Sequence, residues 1–231
     1  MHRYKGDAVP GLSGSDTLFA RLRTACKPEW DSYVRHVFVS SLGEGVLPES
    51  CFQQYLKQDY LFLIHFARAY ALATYKSETL DSMRDSASAM AVILDEMKLH
   101  VKLCQRWGIT EKQLQSLPEA RATLAYTRYV LERGVSGDIL DLHVALSPCI
   151  IGYAEIGLSL QPSVHPDHPY REWIETYCSD GFVGAAKEAV ARLDRLMEER
   201  GGPGRMPGLI RTFREATLLE ADFWQAGLDG H

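Results

Sequence analysis

The run Pro48-Glu49-Ser50-Cys51-Phe52-Gln53-Gln54-Tyr55-Leu56-Lys57-Gln58-Asp59-Tyr60-Leu61-Phe62-Leu63-Ile64-His65-Phe66-Ala67-Arg68-Ala69 decides the fold. Phe52, Tyr55, Leu56, Asp59, Phe62, Leu63, Phe66 and Ala69 recur with the helical period, so they share one face of an α-helix. Pro48 suits the first turn of that helix, where its missing N–H removes no intrahelical bond. The pattern predicts a helix from Pro48 to Lys76. A second, from about Leu80 to Trp107, stops at Gly108. Thr110 offers an N-cap for a short helix over 111–116, and Pro118 opens another that runs to Gly134. Further helices are predicted over 137–160, 168–178, 181–199 and 207–226, with Gly201-Gly202-Pro203-Gly204 separating the last two. No stretch alternates as a half-buried strand does. The expectation is a single all-α domain, a bundle of about eight or more helices around a central space. Residues 1–14, rich in Gly, Pro and Ser, are expected to form a flexible N-terminal tail, leaving 15–231 to the domain. Leu140 to Leu160 is apolar on more than one side, which places it deep in the bundle or against another subunit.

Composition narrows the function classes. The chain of 231 residues is 46% hydrophobic and 24% charged, which is ordinary for a folded domain and argues against wholesale disorder. Lys and Arg number 25 against 30 Asp and Glu, a net charge of −5 with no basic block. The electrostatic footprint of a nucleic-acid binder is therefore missing. No apolar run is expected to approach the roughly 20 residues that span a bilayer. The start, Met1 to Gly11, holds no apolar signal core, and a cytoplasmic location is expected. Cys26, Cys51, Cys104, Cys149 and Cys178 include no C-x-x-C and read as reduced thiols.

In a helical bundle the informative residues are polar ones on apolar stripes, because burial without a partner is costly. Asp59 lies in register with Phe52, Leu56, Phe62 and Phe66. Glu220 lies in register with Phe213, Ala216 and Trp224. Cys149 shares a face with Leu142, Leu146, Tyr153 and Ile156, directly after Pro148, which removes a helical hydrogen bond. A carboxylate so placed is more often a tie between helices than a catalyst. A buried Cys is more often inert than nucleophilic. Tyr126, Tyr153 and Tyr177 would ordinarily be core aromatics whose hydroxyls find some partner. Composition and spacing stop at a helical bundle with a polar pocket, and name no substrate.

Local strings carry the reading further. Gln58-Asp59-Tyr60-Leu61-Phe62-Leu63-Ile64-His65-Phe66, Ser147-Pro148-Cys149 with Tyr153-Ala154-Glu155-Ile156-Gly157, His168-Pro169-Tyr170 running to Trp173-Ile174 and Thr176-Tyr177, and Leu219-Glu220-Ala221-Asp222-Phe223-Trp224 occur in this order. Phe38, the Gly45-x-Leu47-Pro48 turn, and Asp95-Glu96-Met97 with His100 fit the same pattern. The ordered set, spanning about 17–226, resembles the TenA/THI-4 family of the thiaminase II type. The resemblance implies a heme-oxygenase-like all-α fold and a homotetramer. It implies an aminopyrimidine aminohydrolase that converts 4-amino-5-aminomethyl-2-methylpyrimidine to the 5-hydroxymethyl compound and ammonia in thiamine salvage. Many members also cleave thiamine to the same pyrimidine and a thiazole alcohol, and some were first described as regulators of secreted-enzyme production. No metal and no organic cofactor are implied.

By position, Cys149 falls where the family has its nucleophile and Glu220 on its acid/base glutamate. Asp59 falls on the carboxylate that holds the aminopyrimidine, Tyr153 on the ring-stacking tyrosine, and Tyr126 and Tyr177 on pocket tyrosines. Phe62 stands where well-studied members have Tyr, although Phe is also found there; it keeps an aromatic wall and loses a hydroxyl. The implied chemistry suits these groups. An aminopyrimidine is a poor electrophile until a ring nitrogen is polarised, and thiolate addition then lets the ring expel the group on its exocyclic methylene. Three rivals stand beside this reading. Glu96 and His100 lie one helical turn apart and could grip a metal in an oxygenase-like enzyme, or could form a structural hydrogen bond. A cofactorless oxidase would want a more basic, His-rich cavity. A regulatory or scaffold protein need not keep Cys149, Asp59, Glu220 and the tyrosines together. His65 is expected to be a core or near-site histidine, and the cysteines other than Cys149 to be packing thiols.

Overall fold

The computed structural model describes Leu12 and residues 16–230. Among these, every regular element is helical. Three short helices come first, α1 (Leu18–Ala25), α2 (Lys27–Val34) and α3 (Val37–Gly43). The long pair α4 (Glu49–Lys76) and α5 (Leu80–Gln105) follows, then α6 (Glu111–Gln115), α7 (Arg121–Ser136) and α8 (Ile139–Leu160). The chain closes with α9 (Arg171–Tyr177), α10 (Asp180–Arg200) and α11 (Met206–Asp229). The all-α expectation holds, and the long helices start and stop close to the expected positions. The flexible tail expected over 1–14 lies outside the described residues except for Leu12, whose side chain is buried.

Local chemistry explains the boundaries. Thr79 accepts from the Ser82 N–H at the start of α5, and Thr110 and Asp138 form reciprocal capping boxes with Gln113 and Asp141. Pro48 occupies the N-cap of α4 rather than its first turn. Pro118 precedes α7 by a short loop instead of opening it. Gly108 sits at φ +72° just beyond α5, a left-handed conformation that favours glycine.

Helix α8 is the centre of the molecule. Every residue from Leu142 to Gly157 is buried, and the helix packs against α2, α4, α7, α9, α10 and α11. The stretch that could have faced another subunit instead lies inside the bundle. Its apolar length was understated from the sequence. Ile139–Ser163 is long and apolar enough to cross a membrane, yet 94% of its most apolar window is buried within the protein. A helix buried on all sides needs no polar face, which is why its hydropathy imitates a membrane span.

Small residues let neighbours approach this central helix. A Cβ on Gly157 would lie 2.5 Å from the Tyr177 carbonyl carbon, which is backbone and cannot swing aside. The one carboxylate in this part of the helix, Glu155, is matched by Arg23 at 2.7 Å and by the Trp30 indole N–H at 3.3 Å. These contacts tie α1 and α2 to α8.

Gly157→Ala is expected to cost about 1–3 kcal/mol through overpacking, lowering Tm by roughly 2–4 °C for each kcal/mol in a chain of this size. Gly181→Ala, on α10 with nothing within 4 Å of the new methyl, should leave Tm unchanged or slightly raised. Thermal melts of both variants check this; equal Tm values would contradict the close α8–α9 approach.

Candidate active site

Pro148 removes the N–H that would have bonded the Val144 carbonyl, and the Ser147 hydroxyl donates to that carbonyl instead at 2.9 Å. Tyr33 of α2 donates to the Pro148 carbonyl at 3.3 Å. The local backbone is thus satisfied from the side, and Cys149 is held on the inward face of α8, 8% exposed. Facing it are Asp59 from α4 and Glu220 from α11, 2% and 1% exposed.

Two hydrogen-bonded groups meet here. In the first, the Cys149 thiol sits beside the Glu220 carboxyl, and the Tyr126 hydroxyl donates to Glu220 Oε1 at 2.8 Å. Phe62 stacks on the Tyr126 ring with centroids 4.9 Å apart. In the second, Asp59 Oδ2 accepts from the Tyr55 hydroxyl at 2.9 Å and lies 2.6 Å from His100 Nε2. The Trp173 indole N–H donates to the Tyr55 oxygen, and the Tyr177 hydroxyl donates to Glu96. The Tyr153 ring lies between the groups, 5.3 Å from Trp224 and 4.9 Å from Tyr177. All seven residues singled out from the sequence therefore line one buried region.

Electrostatics follows from burial. Desolvation pushes the Glu220 carboxyl up to about 8, with the nearby Asp59 charge adding to the rise against the pull of Tyr126 and Cys149 hydrogen bonds. Glu96 rises to about 7, chiefly by burial, although the His100 charge opposes this. Burial, then the Glu220, Glu96 and Asp59 carboxylates, hold the Cys149 thiol well above its ordinary value. Burial works against charge on His100, but Asp59 and Glu96 together outweigh it and raise its basicity. Near neutral pH the arrangement is a thiol beside a carboxylic acid, next to an Asp–His pair.

Several partners were not legible in advance. Tyr55 stands one turn before Asp59 on the same stripe, a signal available in the sequence but not used. For Glu96 and His100 the sequence leaves open a metal site or a structural hydrogen bond; the structure joins His100 to Asp59 and Glu96 to Tyr177. His65 corrects an expectation. Six residues past Asp59, it rotates off the apolar stripe, and it pairs at the half-buried surface with Glu119 at 3.0 Å and with Arg128. Cys26 and Cys104 are buried, Cys51 and Cys178 half-buried, and none is in a disulfide.

The ligand atoms of Asp59, Glu96 and His100 lie within 4.8 Å of one another, a set that could hold a metal ion. The protein already engages them with hydrogen bonds from Tyr55, between His100 and Asp59, and from Tyr177. That pattern fits a proton-linked network better than an open coordination sphere. A groove of about 820 Å³ between α4 and α5 is lined in part by Ile64, Met90, Leu94 and Val101. It holds none of the residues above, so chemistry and not volume selects the site.

Comparison with known proteins shows the family. The profile of the TENA/THI-4/PQQC family matches residues 23–230. An aminopyrimidine aminohydrolase of Halalkalibacterium halodurans is 38% identical over 210 residues, covering 89% of this chain and 92% of that protein. A putative hydroxymethylpyrimidine/phosphomethylpyrimidine kinase of Schizosaccharomyces pombe is 36% identical over 86% of this chain, which spans only 36% of the kinase. The crystal structure of a TenA family transcription regulator from Silicibacter sp. superposes with a TM-score of 0.87 at 44% identity, over 91% of this chain and 96% of that one.

The raised pKa of Glu220 has a sign for stability. The folded protein holds a proton that the unfolded chain releases near 4.5, so stability falls as pH rises from there to about 8. Glu96 acts in the same direction up to about 7. Glu220→Gln, which has no proton to lose, should flatten the decline in Tm between pH 5 and pH 8.5, removing a contribution on the order of a few kcal/mol. Parallel Tm curves for the two proteins would show that Glu220 ionises normally.

Proposed function

The chain belongs to the TENA/THI-4/PQQC family, and from that membership we propose that it is an aminopyrimidine aminohydrolase of thiamine salvage. Its substrate is 4-amino-5-aminomethyl-2-methylpyrimidine, hydrolysed to the 5-hydroxymethyl compound and ammonia, with thiamine cleaved to the same pyrimidine and a thiazole alcohol. The observation that carries this reading is the placement of the Cys149 thiol beside a Glu220 carboxyl bonded by Tyr126, in a buried aromatic site with Asp59.

Each group has one task. The Asp59 carboxyl meets the amino group and ring nitrogen of the pyrimidine, while Tyr153 and Phe62 supply flat walls. The aminomethyl group enters as an ammonium ion, whose charge beside Glu220 favours the carboxylate. Glu220 then takes the thiol proton as Cys149 Sγ bonds to the ring carbon next to the substituted one. The electron pair from that ring bond moves onto the polarised ring nitrogen. Its return through the ring expels ammonia, which takes the Glu220 proton and departs as ammonium, leaving Glu220 ionised again and an exocyclic methylene on the ring. Glu220 next draws a proton from water as the oxygen adds to that methylene. Departure of Cys149, which takes that proton back from Glu220, restores the aromatic ring. The sum is one water consumed and one ammonia released, with no oxidation.

Assembly as a homotetramer, a cytoplasmic location and a domain covering 15–231 belong to the same reading. Val92 and Leu94 of α5, 38% and 48% exposed, offer apolar surface for a subunit contact. The fungal kinase is a longer protein, and its kinase activity does not transfer to a chain that spans 36% of it.

Product analysis with both substrates tests the activity directly: ammonia from the aminomethylpyrimidine and thiazole alcohol from thiamine are expected, and neither product would sink the proposal. Cys149→Ser should nearly abolish turnover while leaving binding of the pyrimidine product within a few-fold, because a hydroxyl is scarcely ionised near neutral pH. Undiminished turnover would remove the covalent step. Glu220→Gln should lower kcat by about 10²–10⁴-fold. Asp59→Asn should weaken product binding by roughly 10- to 100-fold, the equivalent of a lost charge-assisted bond; equal affinities by calorimetry would reassign Asp59 as a tie between helices.

A further inference from the structure

Ser82 and Ser86 of α5, Ile139 and His143 of α8, and Arg192 and Arg195 of α10 border a cavity of about 30 Å³ that holds none of the candidate active-site residues. His143 is 5% exposed, yet its Nε2 has no hydrogen-bond partner among the described residues, and neither has the buried Nε of Arg192. Leaving such groups unmatched away from water is costly. Arg195 pairs with the Asp85 carboxylate at 3.1 Å, whereas Arg192 donates only to the Asp85 backbone carbonyl, at 3.4 Å, among the described residues. Glu199, the other acid at this cavity, is exposed on α10. Arg192 therefore brings a positive charge that no carboxylate meets directly. Two helix starts add to it. Ser82 lies in the first turn of α5 and Ile139 opens α8, and the free N–H groups of a helix start favour negative charge.

We propose that this cavity binds one monatomic anion of chloride size, held by the Nε–H of Arg192 and the Nε2–H of His143. A guanidinium can only donate, so the partner its Nε–H lacks must be an acceptor. Burial, with Arg192 and Arg195 beside it, holds the His143 imidazole down at about 3, so the ring is neutral at neutral pH and has one N–H to offer. Tyr70 of α4 meets that ring edge to face at 6.2 Å and closes its other side. A water molecule could accept the same two bonds, but it would leave the Arg192 charge unbalanced in a place where solvent screens it poorly. The cavity has room for about two waters, which suits a halide and is too tight for a phosphate group. The bound ion would tie the starts of α5 and α8 to the last turns of α10.

The test has two arms, and neither depends on the aminopyrimidine reading. In the first, crystals grown in sodium bromide should show a bromine anomalous peak in contact with both His143 Nε2 and Arg192 Nε. In the second, Tm is measured at constant ionic strength as chloride replaces gluconate, an anion too large for the cavity. The wild-type Tm should rise by roughly 2–4 °C and level off. Arg192→Gln, which keeps a donor without the charge, should lose most of that rise. Arg200→Gln, whose guanidinium pairs with Glu78 outside the cavity, should keep it. Water without anomalous signal beside His143 overturns the proposal. So does a bromide peak with no chloride response in solution, which is binding at crystal concentration only, or an equal rise in Arg192→Gln. If Arg192→Gln does not fold, the diffraction arm and the wild-type melts decide.

Discussion

Three carboxyl groups and a thiol share a water-poor core with a single imidazole, and the rest of the molecule accommodates that fact. Asp59, Glu96 and Glu220 cannot all ionise there without a large desolvation cost. The structure responds by pairing Asp59 with His100 and by raising Glu96 to about 7 and Glu220 to about 8. Each group is also given a hydroxyl donor. Tyr55 serves Asp59, Tyr177 serves Glu96, and Tyr126 serves Glu220. The tyrosines of the core are thus solvents for the carboxyls as much as packing for the helices.

This constraint shapes the helices that supply the groups. α8 has no charged face because it lies inside the bundle, and its glycines let α2 and α9 close around it. The same burial that makes α8 resemble a membrane span keeps Cys149 a thiol until a base accepts its proton. In the proposed mechanism Glu220 is that base, and its raised affinity for protons suits it to take and give one near neutral pH. Fold and chemistry therefore draw on one property, the low polarity at the centre of the bundle.

Much of this was readable in the sequence. The stripe through Phe52, Asp59 and Phe66 located α4 and turned Asp59 inward, and the same logic placed Glu220 and Cys149. Boundaries were legible where capping chemistry is local, as at Thr110, and were misplaced at Pro118, where a proline precedes its helix by a loop. The three short helices from Leu18 to Gly43 gave no sustained period, because each is barely two turns long. Partnerships across helices were the least legible. Spacing on α5 shows that Glu96 and His100 are neighbours, but only the packing of α5 on α4 shows that His100 reaches Asp59. His65 was misjudged for the reverse reason: a string of apolar neighbours hides the fact that helical rotation carries it outward to Glu119.

The central claim is that the core holds Glu220 as a neutral acid at neutral pH, ready to exchange a proton with Cys149 and with the leaving amine. Carbon NMR of protein labelled at the glutamate carboxyl carbons measures this directly, with Glu220 identified as the signal missing from Glu220→Gln. The account predicts a titration with its midpoint near 8. A Glu220 signal already ionised at pH 6 would contradict it.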